Sequence, residues 1–278
     1  MAQWLALEGA VNVRDVGGLP TVDGRTTRSG VLLRSDNLQD LTEADVAQLL
    51  GERGLRTVID LRSTGEVHLA GPGPLKAVHI EGVRHVHLSL IPEWDGEPDQ
   101  VEVDRALDDL TRQAALPPLP ARPRQADATD LAGHYSGYVE RAGANVGAAL
   151  RVLADPASGT SLVHCAAGKD RTGVVVALAL SLVGVTREAV VADYVRSAER
   201  AGLILDRLRA TAAYGPGLEG VTVAQTAPVA SSMEGFLDTV DREYGGPHGL
   251  AMSLGVDEET VARLGARLVG TTRQVRGR

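Results

Sequence analysis

The chain holds a single cysteine, Cys165, inside the run Leu162-Val163-His164-Cys165-Ala166-Ala167-Gly168-Lys169-Asp170-Arg171-Thr172-Gly173. A short apolar strand, a tight loop of small residues and a following apolar helix are what this run predicts. Such a loop turns successive backbone N–H groups inward to form an anion-binding concavity, and the helix N-terminus adds positive potential. Cys165 stands at the mouth of that concavity, where Lys169, Arg171 and the helix N-terminus would favour its nucleophilic thiolate. Arg171, six residues on, can fold back so that its planar fork grips two oxygens of a phosphate. Nucleophile and clamp therefore converge on one tetrahedral anion.

Lys169 stands out by rarity. The chain has 28 basic residues, and only Lys76 and Lys169 are lysine. Where a basic group was needed merely for solubility this sequence used arginine, so a lysine beside the cysteine is less easily background. A nucleotide-binding loop of the Walker type fits poorly, since it would need glycine at position 163 and serine or threonine at 170, where Val163 and Asp170 stand. His164 could act as a base, but a packed histidine that orients the loop is the better reading. His85 and His87 share one face of an expected strand with His79 near in sequence, and no acidic or cysteine ligand has the spacing for a metal site. Arg14 and Arg62 either line the phosphate pocket or pair with neighbouring carboxylates such as Asp15 or Glu66.

The elements that must position this loop alternate between strand and helix. Val11 to Asp15 reads as a short strand, and Asp23-Gly24 as a turn returning to Gly30–Leu33. Thr42 and Asp45 have capping-box spacing at a helix start, with Leu41 placed to staple to Val46. Strands are expected at Leu55–Leu61 and Arg84–Leu90, separated by the turn Gly71-Pro72-Gly73-Pro74. Helical spacing covers Leu131–Leu153, and Ser161–His164 is a buried strand. Thr172–Leu182, apolar on nearly every face, is a central buried helix. Helices follow at Arg187–Ser197, Ala201–Ala213, Ser232–Tyr244 (led by Ser231, with Glu234 in capping-box spacing) and Glu258–Val269. This order predicts an α/β domain with a central, mostly parallel sheet flanked by helices and with extra C-terminal helices.

The loop motif is that of the cysteine-dependent protein tyrosine phosphatases, Cys-x5-Arg followed by Ser or Thr. The string His164 to Gly173 resembles a bacterial subgroup of that family with mycobacterial members. Asn12-Val13-Arg14-Asp15-Val16-Gly17-Gly18, Asp60-Leu61-Arg62-Ser63 with Glu66, and Val191-Ala192-Asp193-Tyr194 look like the same subgroup, in the expected order. The resemblance implies that Cys165 attacks phosphorus to form a phosphocysteine. It implies that Arg171 and the backbone of Ala166, Ala167, Gly168, Lys169, Asp170 and Arg171 hold the phosphate oxygens, and that Thr172 stabilises the departing thiolate. No metal or other cofactor is implied. A leaving phenolate needs a proton from a carboxylic acid. Asp170 within the loop is preferred as acid or water-positioning group, with Asp95 and Glu93, where related phosphatases carry a mobile acid loop, next. Lys169 occupies the place that phosphatases accepting phosphoinositides fill with lysine.

Composition bounds the partners. Twenty-eight basic against 36 acidic residues give a formal charge of −8, which argues against nucleic acid, whose phosphates need a surplus of Lys and Arg. The longest apolar run, Val174 to Val185, is shorter than the roughly 18 residues of a membrane span, and no signal peptide is visible, so a cytoplasmic protein is expected unless it is exported without one. A single phosphatase-like domain is expected over 1–278, with an N-terminal extension at 1–40, an irregular acidic and proline-rich excursion at 91–130 and a helical lid at 199–230. The expected function is hydrolysis of phosphate monoesters on phosphotyrosine, phosphoserine/threonine and phosphoinositides. The rivals are a non-catalytic phospho-ligand module of the same fold, and sulfur transfer or arsenate reduction through Cys165. Arsenate reduction of the usual kind wants resolving cysteines, which this chain lacks.

Overall fold

The computed structural model describes residues 3–71, 73–77, 82–91 and 131–269. In chain order the elements begin with β1 (Gln3–Trp4), β2 (Arg14–Asp15), β3 (Leu32–Ser35) and α1 (Glu43–Ala47). Next come β4 (Leu55–Asp60), α2 (Thr64–Ala70), α3 (Pro74–Ala77) and β5 (Arg84–His87). Further along the chain are α4 (Leu131–Ala154), β6 (Thr160–His164), α5 (Asp170–Leu182) and α6 (Arg187–Val195). The last elements are α7 (Ala201–Ala210), α8 (Val223–Thr226), α9 (Ala230–Tyr244), α10 (Pro247–Ser253) and α11 (Glu258–Leu268).

The described strands form one mixed sheet in the order β1-β2-β3-β6-β4-β5, antiparallel at β1–β2–β3 and parallel across β3, β6, β4 and β5. This is the expected α/β architecture. Side chains along the parallel strands alternate between two cores, as the two-residue period of a strand requires. Leu32, Ile59 and Val163 face the core packed with α4, α5, α9 and α11, while Leu33, Val58 and Leu162 face a second core containing Leu41, Leu49 and Leu75. With both faces covered, β6 becomes the fully buried centre of the sheet. α5 is buried on almost every face, as its sequence predicts, and each such Val or Leu contributes roughly 1.5–3 kcal/mol of burial.

Register fixes the site. Ser35 and Asp60 both pair with His164, so the C-terminal ends of β3, β6 and β4 finish side by side. Residues that follow these strands meet in one crevice, the usual location of a ligand in a parallel sheet.

Local chemistry explains several boundaries. Thr42 and Asp45 form the expected reciprocal capping box on α1, and Leu41 and Val46 share the second core. Between β4 and β5 the sequence shows only a turn, but Ser63 and Glu66 cap α2, which ends at Gly71 with φ +76°. α9 begins at Ala230 with Val229 as its cap residue, not after Ser231. Its start is set by burial of Met233, Phe236, Leu237 and Val240, not by a serine cap. α4 is kinked at Ala142, where φ and ψ are −129° and 30°. No helix among the described residues is long and apolar enough to cross a membrane.

Candidate active site

The loop between β6 and α5 is held from outside by its carbonyls. Ala166 O accepts from Asn37 N at 3.1 Å, Ala167 O from Asn12 Nδ2 at 2.9 Å, and Gly168 O from Arg34 Nη2 at 2.9 Å. His164 O is taken by Leu61 N at 2.9 Å. With consecutive carbonyls committed outward, the loop amides are left for the opposite side, next to the N-terminus of α5. Gly168 makes this possible: its φ is +65°, and a Cβ there would lie 2.4 Å from Ser35 O and 2.5 Å from Asp36 N. A side chain would collide with the end of β3.

Cys165 is buried at the foot of the loop and is a free thiol. Arg171, at the start of the helix, is also buried and makes a two-pronged contact with Glu66: Nη1–Oε2 2.6 Å and Nη2–Oε1 2.8 Å. It donates further to Leu61 O at 3.2 Å and to the Tyr214 hydroxyl at 3.0 Å. Burial alone would raise the Glu66 carboxyl, but the Arg171 charge and hydrogen bonds outweigh it and hold Glu66 down at about 2. Against its own desolvation, Arg171 is pushed above its ordinary value by Glu66, Tyr214 and Cys165. Glu66 thus caps α2 through Ser63 N and fixes the clamp with the same carboxylate.

Asp170 accepts from the Tyr135 hydroxyl at 2.6 Å, and that hydroxyl is also 2.6 Å from the Tyr194 hydroxyl. Lys169 Nζ donates to Thr226 O at 2.6 Å and lies 3.5 Å from Asp170 Oδ2. The Thr172 hydroxyl is buried without a hydrogen-bond partner among the described residues. The structure therefore brings together Cys165, Lys169, Asp170, Arg171 and Thr172. Glu93 and Asp95, like His79 and positions 92–130 generally, lie outside the described residues.

His164 fits the packed reading. Burial lowers it to about 4, the 3.6 Å approach of Nε2 to Asp60 Oδ2 notwithstanding, so it is neutral at ordinary pH. His85 and His87 each contact a backbone carbonyl, of Leu75 at 3.0 Å and Arg62 at 2.7 Å. Arg62 and Arg14 take carboxylates other than Glu66 and Asp15. Arg62 grips Asp60, with Nη2–Oδ2 2.5 Å, and Arg14 grips Asp193, with Nε–Oδ1 2.8 Å. Asp15 is occupied by the amides of Gly17 and Gly30.

Tyr135, Tyr214 and Arg34 were not singled out by sequence. A signal existed for the tyrosines: the chain has only five, and aromatic residues are 3% of it. Tyr135, Tyr194 and Tyr214 meet loop residues directly or in a chain, and Tyr138 stacks on Tyr135 at 6.2 Å.

This sheet, with a Cys-x5-Arg loop on its central strand, defines a phosphatase, and the model of the tyrosine phosphatase family matches residues 5–270. The chain belongs to that family and is accordingly a phosphoric monoester hydrolase. It is 32% identical over 282 aligned positions to the triple specificity protein phosphatase PtpB of Mycobacterium tuberculosis, covering 95% of this chain and 98% of the relative. A protein of Cupriavidus necator provisionally assigned as a tyrosine-protein phosphatase is 33% identical, over 70% of this chain and 63% of its own length. A tyrosine-protein phosphatase of Nostoc commune is 30% identical over 42% of this chain and 41% of its own length.

Proposed function

We propose that the protein hydrolyses phosphotyrosine through a phosphocysteine, and accepts phosphoserine, phosphothreonine and phosphoinositides as well. The outward commitment of the Ala166, Ala167 and Gly168 carbonyls carries this reading, because it leaves a row of amide donors for phosphate oxygens beside Cys165. The Cys165 thiolate attacks phosphorus, the ester P–O bond breaks, and the leaving oxygen takes a proton from Asp170. Water then attacks the phosphocysteine with Asp170 as its base, and the departing thiolate is stabilised by the Thr172 hydroxyl, which has no hydrogen-bond partner among the described residues. Arg171 and the loop amides hold the equatorial oxygens throughout, a fixed electrostatic contribution of the kind that dominates many catalytic sites.

Broad specificity is supported by the name of the Mycobacterium tuberculosis relative and by Lys169, whose ammonium a second phosphate could draw from Thr226 O. Residues 199–230 act as a lid: Tyr214 meets Arg171 and Thr226 meets Lys169, so this segment reaches both cations of the loop. The test is phosphate release, with EDTA present, from phosphotyrosine peptide, phosphoserine peptide and a monophosphorylated phosphoinositide. Turnover abolished by Cys165→Ser supports the reading. Turnover surviving in that variant, or wild-type protein that binds phosphotyrosine peptide without hydrolysing it, overturns it.

A further inference from the structure

Against the outward carbonyls of the loop lies a buried cluster that the chemistry above does not use. Asp193 of α6 is fully buried between two fully buried arginines, Arg14 of β2 and Arg34 of β3. Arg14 Nε reaches Asp193 Oδ1 at 2.8 Å, and Arg34 Nη1 reaches Asp193 Oδ2 at 2.6 Å. Each arginine then works toward the loop. Arg34 Nη2 donates to Gly168 O at 2.9 Å and reaches Lys169 O at 3.4 Å. Arg14 Nη1 donates to Asn12 Oδ1 at 2.7 Å, which turns the Asn12 amide so that Nδ2 donates to Ala167 O at 2.9 Å.

Two guanidinium groups share one carboxylate here, leaving one positive charge unmatched. Beyond the three, Asp36 accepts from the Val11 and Asn12 amides and pairs with Arg207, which Asp40 shares, while Asp15 accepts from the amides of Gly17 and Gly30 and keeps its own charge. Arg196 and Arg200 add like charge, and Glu199 is bound by Trp4 Nε1 and Arg196. The Trp4 ring lies against Arg14 at 5.1 Å, an attractive contact for a cation stripped of water. Burial and Arg34 push Arg14 down to about 10, still protonated at neutral pH. Asp193 is held at about 2, the two arginine charges outweighing its burial. A buried arrangement with this imbalance is costly by itself, and a bound phosphate dianion would offset that cost.

We propose that Arg14, Arg34 and Asp193, acting through Asn12, form a positioning bracket that keeps the loop carbonyls outward and sets the triad's own net positive charge behind the bound phosphate. It rests on the reading of the loop as the phosphate site. None of the four touches the reacting atoms, so they are positioning residues.

The test measures competitive inhibition by inorganic phosphate alongside melting temperature in Asn12→Asp, Arg34→Met and Arg34→Lys. Asn12→Asp and Arg34→Met each bring the triad with Asn12 to neutrality and remove a donor to a loop carbonyl, and phosphate affinity is expected to weaken about tenfold, as the loss of one outer-shell partner does at a metal site. Arg34→Lys keeps the charge and is expected to retain most of the affinity, even where its melting temperature falls as far as that of Arg34→Met. Affinity that follows melting temperature across the series, or wild-type affinity in folded Asn12→Asp, overturns the bracket. Should Arg34→Met fail to fold, Asn12→Asp against Arg34→Lys decides the same question. Wild-type protein that phosphate does not inhibit would instead sink the phosphate-site reading itself.

Discussion

The Tyr135 hydroxyl donates to Asp170 Oδ1 at 2.6 Å while accepting from the Tyr194 hydroxyl, also at 2.6 Å. A carboxyl group inside a phosphate loop is free to rotate unless something fixes it, and this relay from α4 and α6 does so. Its members are buried, and Tyr135 packs edge-on to Tyr194 at 6.1 Å and to Phe236 at 6.3 Å.

Tyr135→Phe keeps that packing and removes the donor. If Asp170 delivers the proton to the leaving group, the loss should grow with the basicity of that group. A drop of about tenfold in kcat is expected for phenyl phosphate and a much smaller one for p-nitrophenyl phosphate, with Asp170→Asn showing the same trend at about 10²-fold. A series of aryl phosphates measures this. Equal losses across the series would remove Asp170 from the acid role and return attention to Asp95 and Glu93.

Tyr214 holds both halves of the clamp, donating to Glu66 and accepting from Arg171 at 3.0 Å. An incoming phosphate must compete for Arg171 Nη2. Tyr214→Phe should therefore bind inorganic phosphate more tightly, by about fivefold for one net hydrogen bond of about 1 kcal/mol. Unchanged or weaker inhibition would mean that Tyr214 belongs to the substrate-bound arrangement.

Glu66 is held at about 2 in the folded protein against an ordinary value of 4.5. A lowered folded value means stability that is complete above pH 4.5 and lost as pH falls toward 2. The shift corresponds to about 3 kcal/mol. Urea unfolding across this window should show wild-type stability falling steeply and Glu66→Gln, already less stable at pH 7, falling less. Parallel curves would show that the Glu66–Arg171 pair adds no pH-dependent stability.

His164 gives a separate window. Burial lowers it from 6.5 to about 4, so the unfolded chain binds a proton that the folded one refuses. Stability is unaffected above pH 6.5 and declines as pH falls from there toward 4. His164→Asn should lose that decline while keeping the Glu66 window below it. A decline between pH 6.5 and 4 as steep as in wild type would assign it to other groups.

What sequence disclosed and what it hid divide along physical lines. The loop from His164 to Gly173 was legible because a backbone cradle, a nucleophile and a clamp must lie within a few residues of each other. The α/β architecture followed from strand–helix alternation, and the α1 cap from a contact spanning three residues. Glu66, Asp193 and Tyr135 reach the loop, or the arginine that holds it, only after α2, α6 and α4 have packed. Their partners are 105, 159 and 35 positions away (Arg171, Arg34 and Asp170), so no local period announces them. Arg34 was hidden for a further reason: it stands one residue past the strand that the sequence predicts to end at Leu33, and its partners Asp193 and Gly168 meet it only once the chain has packed.

Gly168 offers the most direct check on how the cradle is built. Its φ of +65°, and the 2.4 Å that would separate an alanine Cβ from Ser35 O, make alanine doubly unfavourable. Left-handed backbone costs a non-glycine residue about 1–2 kcal/mol, and the contact would push the loop off the end of β3. The Gly168 O contact to Arg34 would break with it, turning an amide out of the anion site. Gly168→Ala is expected to lose about 10² in kcat/KM, comparable to removing one oxyanion donor, with a melting temperature lowered but a cooperative transition retained, because Gly168 itself belongs to neither core. Thermal unfolding and phosphatase assays on the same sample separate the two effects. Near wild-type turnover in Gly168→Ala would mean that the amides of this loop do not need the orientation that its outward carbonyls impose.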